Sequence, residues 1–306
     1  FILLGILLSI RAEERGFTQP RNYLPPLLAF TLAALVKFTI IPIIIFFILT
    51  LAFKALRQAS STNLTMNREN ILHALRLHWR SALFPALSAG GASSLTVLLF
   101  YGPFWISHDI LDIIGSITSP PSASSAQFSI QRALIEWYNS SFSSPDSGGN
   151  IILQLFLSHD TWSHINIAAI TISLLLGAIW LWHRPTTRTM VLATLASLCI
   201  LLIVTPWFYS WYIIWLVGLA VICLPAASDR IERALVAFAL TFSVSAFATY
   251  LYLYGYPPFG TWTGFVCLTT IGPPLLAALI LMVPWRTRGR TTSNTSRKRR
   301  LLHFKN

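Results

Sequence analysis

Between Tyr23 and Phe53 the chain is apolar almost without interruption, and that stretch limits what it can fold into more than any other. As one helix it would be about 46 Å long, against a bilayer core of about 30 Å. Lys37 lies near its middle and Pro42 follows. The stretch reads as two short helices, roughly 24–36 and 40–53, folded as a hairpin about Lys37. Both flanks are basic, with Arg11, Arg15 and Arg21 before and Lys54 and Arg57 after, as a segment that enters and returns requires. A single tilted helix kinked at Pro42 is the other reading.

Composition extends this to the whole chain. Of 306 residues, 55% are hydrophobic and 10% charged, and mean hydropathy is +0.64. Soluble domains carry about 25% charged residues, so a pair of water-soluble domains is excluded, soluble enzymes with it, and so is intrinsic disorder. The expected fold class is all-α: a polytopic membrane protein of about eight to nine transmembrane or re-entrant helices with one long outer loop. Phe1 to Ile10 is apolar and meets Arg11, Glu13, Glu14 and Arg15 at once. It is too short to span and lacks the basic start of a signal peptide. It reads as the last half of a spanning helix that begins upstream, or as a short interfacial anchor.

Further segments follow from apolar length and helical spacing. Asn70 to Trp79 has apolar residues at 71, 72, 75 and 77 and suits an amphipathic helix on the membrane surface. The next span is about 82–102, with small residues Gly90 to Ser94 that let helices approach closely. The long loop runs from about 103 to 162. Later spans fall at about 164–182, 190–205, 212–226, 232–251 and 264–284. No repeat of 20–50 residues is present.

Charge sets the orientation. The net charge is +12. Eight basic residues crowd the last 21 positions, and without them 14 basic residues face 10 acids. Such a tail, residues 286–306, is the cytoplasmic stop after a transmembrane domain at 1–285, and it suits anionic lipid rather than nucleic acid. With the tail in the cytoplasm, every Lys and Arg except Lys37 and Arg132 falls on that side. Asp109, Asp112, Glu136, Asp146 and Asp160 fall outside. Cys199, Cys223 and Cys267 lie in apolar stretches with no metal-ligand spacing and read as small hydrophobes. The sequons at Asn63, Asn139 and Asn294 are chance matches.

Three groups of residues could carry chemistry. Lys37 is either a phosphate-binding point charge at the outer surface or a snorkelling residue that marks the interface. Thr205 to Tyr212 packs Trp207, Phe208, Tyr209, Trp211 and Tyr212 into an outer turn, as an aromatic belt or as a platform for a sugar face or a polyprenyl chain. The outer loop holds His108, Asp109 and Asp112 near its start and His159, Asp160 and His164 near its end. Asp109 and Asp112 share a face if helical. His159, Asp160 and His164 are solvated helix-capping groups or a weak metal site; no metal is assigned. No HExxH, GxSxG, P-loop, Rossmann or CxxC pattern is present.

Ala33-Ala-Leu-Val-Lys-Phe-Thr-Ile-Ile-Pro42 with its basic follower, and Pro206-Trp-Phe-Tyr-Ser-Trp-Tyr-Ile-Ile-Trp215, together resemble segments of GT-C-fold glycosyltransferases. The nearest branch is glycosyltransferase family 87, the alpha-mannosyltransferase-like group that uses polyprenyl-phosphate sugars. The resemblance implies a plasma-membrane hexosyltransferase of bacterial type. It would move a sugar, commonly mannose, from a lipid-phosphate donor to a glycan or glycolipid acceptor at the outer face, with no further cofactor. It implies a substrate-binding role for Lys37, His108, Asp109, Asp112, Asp160, Trp207, Tyr209, Trp211 and Tyr212. The family's catalytic acid follows its first helix, so the resemblance places the base upstream of Phe1. Composition alone leaves two alternatives open: a lipid or solute transporter or flippase, and a polysaccharide polymerase or ligase.

Overall fold

A computed structural model describes residues 1–60, 68–106, 109, 112, 159–205, 213–227, 229–248 and 266–283. Those residues are helical, with no strand among them. The helices are α1 (Ile2–Arg15), α2 (Pro20–Val36), α3 (Ile41–Ser60), α4 (Arg68–Trp105), α5 (His159–His183), α6 (Thr187–Val204), α7 (Ile214–Cys223), α8 (Arg230–Ser245) and α9 (Gly272–Met282). Four stretches are long and apolar enough to cross a membrane: Phe38–Gln58, Leu83–Trp105, His164–His183 and Thr187–Val204. The tail at 286–306, most of the long loop, and the three sequon asparagines lie outside the described residues.

The hairpin about Lys37 is present, and its cause is local. In an unbroken helix the ring of Pro42 would strike the carbonyl of Phe38, and Pro42 has no N–H to give it. The chain instead stops α2 at Val36, extends at Lys37 (φ −152°, ψ 109°), and makes a 3-10 turn over Phe38–Ile40. Within that turn the Ile41 N–H bonds the Phe38 carbonyl. Pro42 then sits in the first turn of α3, where no N–H is needed.

Cross-links between side chains fix the directions of the helices. Tyr23 meets Ser88 at 2.6 Å, Thr31 meets Ser93 at 2.8 Å, and the Tyr101 hydroxyl donates to the Leu35 carbonyl at 2.7 Å. The order is the same along both chains, so α2 and α4 run parallel. Phe53 packs on Trp182, and Arg57 reaches the carbonyls of Trp182 and His183. Helices α3 and α5 therefore also run parallel, opposite to α2 and α4. Asn22 closes the α1–α2 turn by donating to the carbonyls of Arg15 and Gly16, and Gly16 there adopts φ +96°, which suits glycine.

The core joins α1, α2, α3, α6, α7 and α8 through Ile6, Phe30, Phe46, Phe47, Leu195, Leu216 and Phe242. The outer faces of α4 and α5 stay apolar and exposed, with Leu95, Leu99 and Phe104 on one and Ile172, Leu175 and Leu176 on the other. An exposed face of that composition suits lipid rather than water.

One expectation is corrected. Residues 70–79 and the span at 82–102 are not separate elements, because one helix, Arg68–Trp105, covers both. No glycine or proline lies between Arg68 and Phe84, so nothing in the backbone breaks the hydrogen-bond ladder where the polarity changes. The described part of α5 starts at His159, and the capping role expected of Asp160 falls on a side chain outside the described residues.

Candidate functional site at the end of the bundle opposite the charged end

Among the described residues, one end of the bundle gathers most of the charge. The Glu13 carboxylate accepts from Lys54 Nζ at 2.5 Å and from the Thr187 N–H at 3.1 Å, tying α1, α3 and the start of α6. Lys54 Nζ also stands 4.5 Å from the ring centre of Phe17. Arg57 donates to the last carbonyls of α5, satisfying acceptors that a helix end leaves open. Arg188 pairs with the buried Glu232, whose carboxylate also completes a capping box with Asp229. Burial pushes the Glu13 carboxyl up, but the bonds from Lys54 and Thr187 outweigh it and hold the group below the ordinary glutamate range.

The other end carries the candidate site. Lys37 sits half-buried at the hinge between α2 and α3. Its N–H bonds the Ala33 carbonyl at 3.0 Å and its own carbonyl accepts from Ile40 at 3.2 Å. The side chain is therefore carried on a backbone fixed on both sides. Its Nζ lies 6.0 Å from the ring centre of Phe38. The Tyr101–Leu35 bond brings the end of α4 to the same level, two residues from Lys37.

Tyr101, Phe104 and Trp105 form an aromatic group there, with ring centres 6.4 Å apart for Tyr101–Phe104 and 5.9 Å for Tyr101–Trp105. Sequence reasoning missed this group because it assigned residues from 103 onward to the loop. The spacing i, i+3, i+4 places the three rings on one helical face and could have revealed it.

Asp109 and Asp112 follow a few residues after α4. The Asp112 N–H donates to the Asp109 carbonyl at 3.0 Å, so the pair spans one helical turn and both residues are exposed. Trp162 Nε1 donates to the Val204 carbonyl at 3.1 Å, which joins the start of α5 to the end of α6 at this same end. Thr205 and Ile213, the residues that flank 206–212, are both buried. His108, Trp207, Tyr209, Trp211 and Tyr212 lie outside the described residues, as does the side chain of Asp160. Among the described residues no group of three or more His, Cys, Asp or Glu could hold a metal ion.

Among the described residues, this end thus combines Lys37 on a fixed hinge, the exposed carboxylates of Asp109 and Asp112 and a cluster of rings. Chemically it can attract an anionic group and offer ring faces to a sugar or an isoprenoid chain. No family model, no curated protein and no solved structure matches the chain.

Proposed function

We propose that this chain is the membrane domain of a hexosyltransferase. It takes a sugar, mannose in the first instance, from a polyprenyl-phosphate donor at the outer face of a bacterial plasma membrane, with the basic tail in the cytoplasm. One observation carries the reading: Lys37 projects from a helix break at the same end of the bundle as the Tyr101–Phe104–Trp105 rings and the Asp109–Asp112 turn. In the transfer, an acceptor hydroxyl attacks the anomeric carbon, the bond from that carbon to the phosphate oxygen breaks, and the hydroxyl proton passes to a carboxylate base. Lys37 stabilises the phosphate as it leaves with the electron pair. No residue of this chain is assigned as the base. His108, Asp160 and the aromatic turn at 206–212 complete the proposed substrate contacts.

The test uses the full-length protein in vesicles holding radiolabelled polyprenyl-phosphate mannose and a membrane extract as acceptor. Lys37→Met is expected to lower mannose transfer at least 100-fold while the amount of folded protein stays unchanged. Transfer at the wild-type rate would remove Lys37 from the site. A transporter or flippase would instead move the labelled lipid across the vesicle without forming a glycosyl product.

A further inference from the structure

The charged end of the bundle is not evenly balanced. At the start of α8, Arg230 and Arg233 alternate with Asp229 and Glu232, and Arg184 pairs with Asp229 at 3.5 Å. At the turn from α1 to α2 the cations prevail. Arg11, Arg15 and Arg21 are exposed there and make no ion pair with a carboxylate among the described residues. Glu14 is exposed beside them, while Glu13 is taken up by Lys54 and Thr187.

A fixed turn holds these cations together. Asn22 donates to the Arg15 carbonyl at 3.2 Å and to the Gly16 carbonyl at 2.7 Å, which brings its neighbour Arg21 against the end of α1. Phe17 is buried with its ring 5.4 Å from that of Phe47, and Thr18 donates to Gln58 at 3.2 Å, so α3 anchors the turn at two further points. A Cβ on Gly16 would meet no other group within 4 Å, which leaves the space beside the turn open. At about 100° per residue, Leu4, Leu7, Arg11 and Arg15 fall within about 80° on one face of α1, and all four are exposed. At about 1.5 Å per residue, Arg11 stands roughly 6 Å beyond Leu7, and Arg15 roughly 6 Å beyond Arg11. The face therefore changes from apolar to cationic along the helix. The change lies level with the end of a spanning helix, because Thr187 at the start of α6 donates to oxygens of Ser9 and Glu13. Hydrocarbon gives way to headgroups at such a level.

We infer that Arg11, Arg15 and Arg21 form a binding site for an anionic phospholipid, with the phosphodiester among the three guanidinium groups and an acyl chain along Leu7 and Leu4. Guanidinium groups bind phosphate oxygens through paired, charge-assisted hydrogen bonds. The exposed leucines on the same face select a lipid over a soluble phosphate. The anchored turn places two of the cations before the ligand arrives, which reduces the ordering cost of binding. The site lies at the end opposite Lys37 and does not depend on the transferase reading.

The full-length protein in detergent is titrated with radiolabelled phosphatidylglycerol. The triple variant Arg11→Gln, Arg15→Gln, Arg21→Gln is expected to bind it at least about tenfold more weakly than the wild type. The control Arg184→Gln, Arg230→Gln, Arg233→Gln removes the same charge from the same end and is expected to change the affinity less than about threefold. Equal losses in the two would overturn the site in favour of diffuse attraction. Displacement of the lipid by an equal concentration of glycerophosphate would also overturn it, since a soluble phosphate would then suffice. A second measurement keeps the arginines and so decides the matter even where the triple variant does not fold. With Cys199, Cys223 and Cys267 replaced by alanine, a fluorophore on Leu4→Cys is read in vesicles of phosphatidylglycerol and phosphatidylcholine. Bromination of the phosphatidylglycerol chains is expected to quench it at least about twofold more than bromination of the phosphatidylcholine chains. A fluorophore on Ile172→Cys, on the exposed face of α5, should show no preference. Equal quenching at Leu4→Cys by the two lipids would overturn the site.

Discussion

At the residue scale, close approach and charge pairing decide what the chain tolerates. Gly177 has no room for a side chain, because a Cβ there would meet the fully buried Phe46 ring. Gly177→Ala is predicted to destabilise the protein by about 1–3 kcal/mol, the usual cost of overpacking. Thermal unfolding in detergent would read it, and an unchanged midpoint would refute the fit at that contact. Glu13 makes a prediction about pH. Its carboxyl is held low in the folded state, so the stabilisation is present above the ordinary glutamate range and is lost as pH falls through the lowered value. The wild type should therefore lose thermal stability between neutral pH and the acid range, and Glu13→Gln should flatten that part of the profile. Parallel profiles for the two proteins would show that the Lys54 and Thr187 bonds do not act through the charge.

At the element scale, Arg57 should matter as the C-terminal cap of α5. Arg57→Met removes its bonds to the carbonyls of Trp182 and His183 and is expected to cost about 1–2 kcal/mol. Hydrogen exchange should show fraying confined to the last turn of α5; uniform loss across the bundle would contradict a local cap. The same scale shows what was legible in the sequence. The hinge at Lys37 could be read because apolar length and Pro42 both act locally. The later spans at about 164–182 and 190–205 could be read because the basic connection His183 to Arg188 separates two long apolar runs. The continuity of α4 could not, since hydropathy reports which face meets lipid while the backbone ladder ignores the change from Arg80 to Leu83. The Tyr101 group was lost for the same reason. The pairing of Thr31 with Ser93, or of Glu13 with Thr187, has no local signature, since each hydroxyl or carboxylate looks alike in sequence whatever it meets. Of the proposed site, Lys37, Asp109 and Asp112 were read from their types and spacing, and the structure adds that Lys37 and the end of α4 share a level.

At the scale of the whole molecule, charge asymmetry and helix direction agree. Lys54, Arg57, Arg184, Arg188 and Glu232 meet at one end, and Lys37 stands at the other. Single cysteines at Gln19 and Arg184 are therefore predicted to react with an impermeant thiol reagent from one side of a membrane. Cysteines at Val36 and Val244 should react from the other. Labelling of all four from one side would reject the arrangement.

The Glu13–Thr187 bond joins positions 174 residues apart. At roughly 5–20 residues per second, a ribosome needs about 10–35 s to pass from one to the other. Throughout that interval α1 has been made without its partner on α6. Final docking of α1 is therefore a late event in biosynthesis, and the nascent hairpin of α2 and α3 must persist in the bilayer before α6 arrives to lock it.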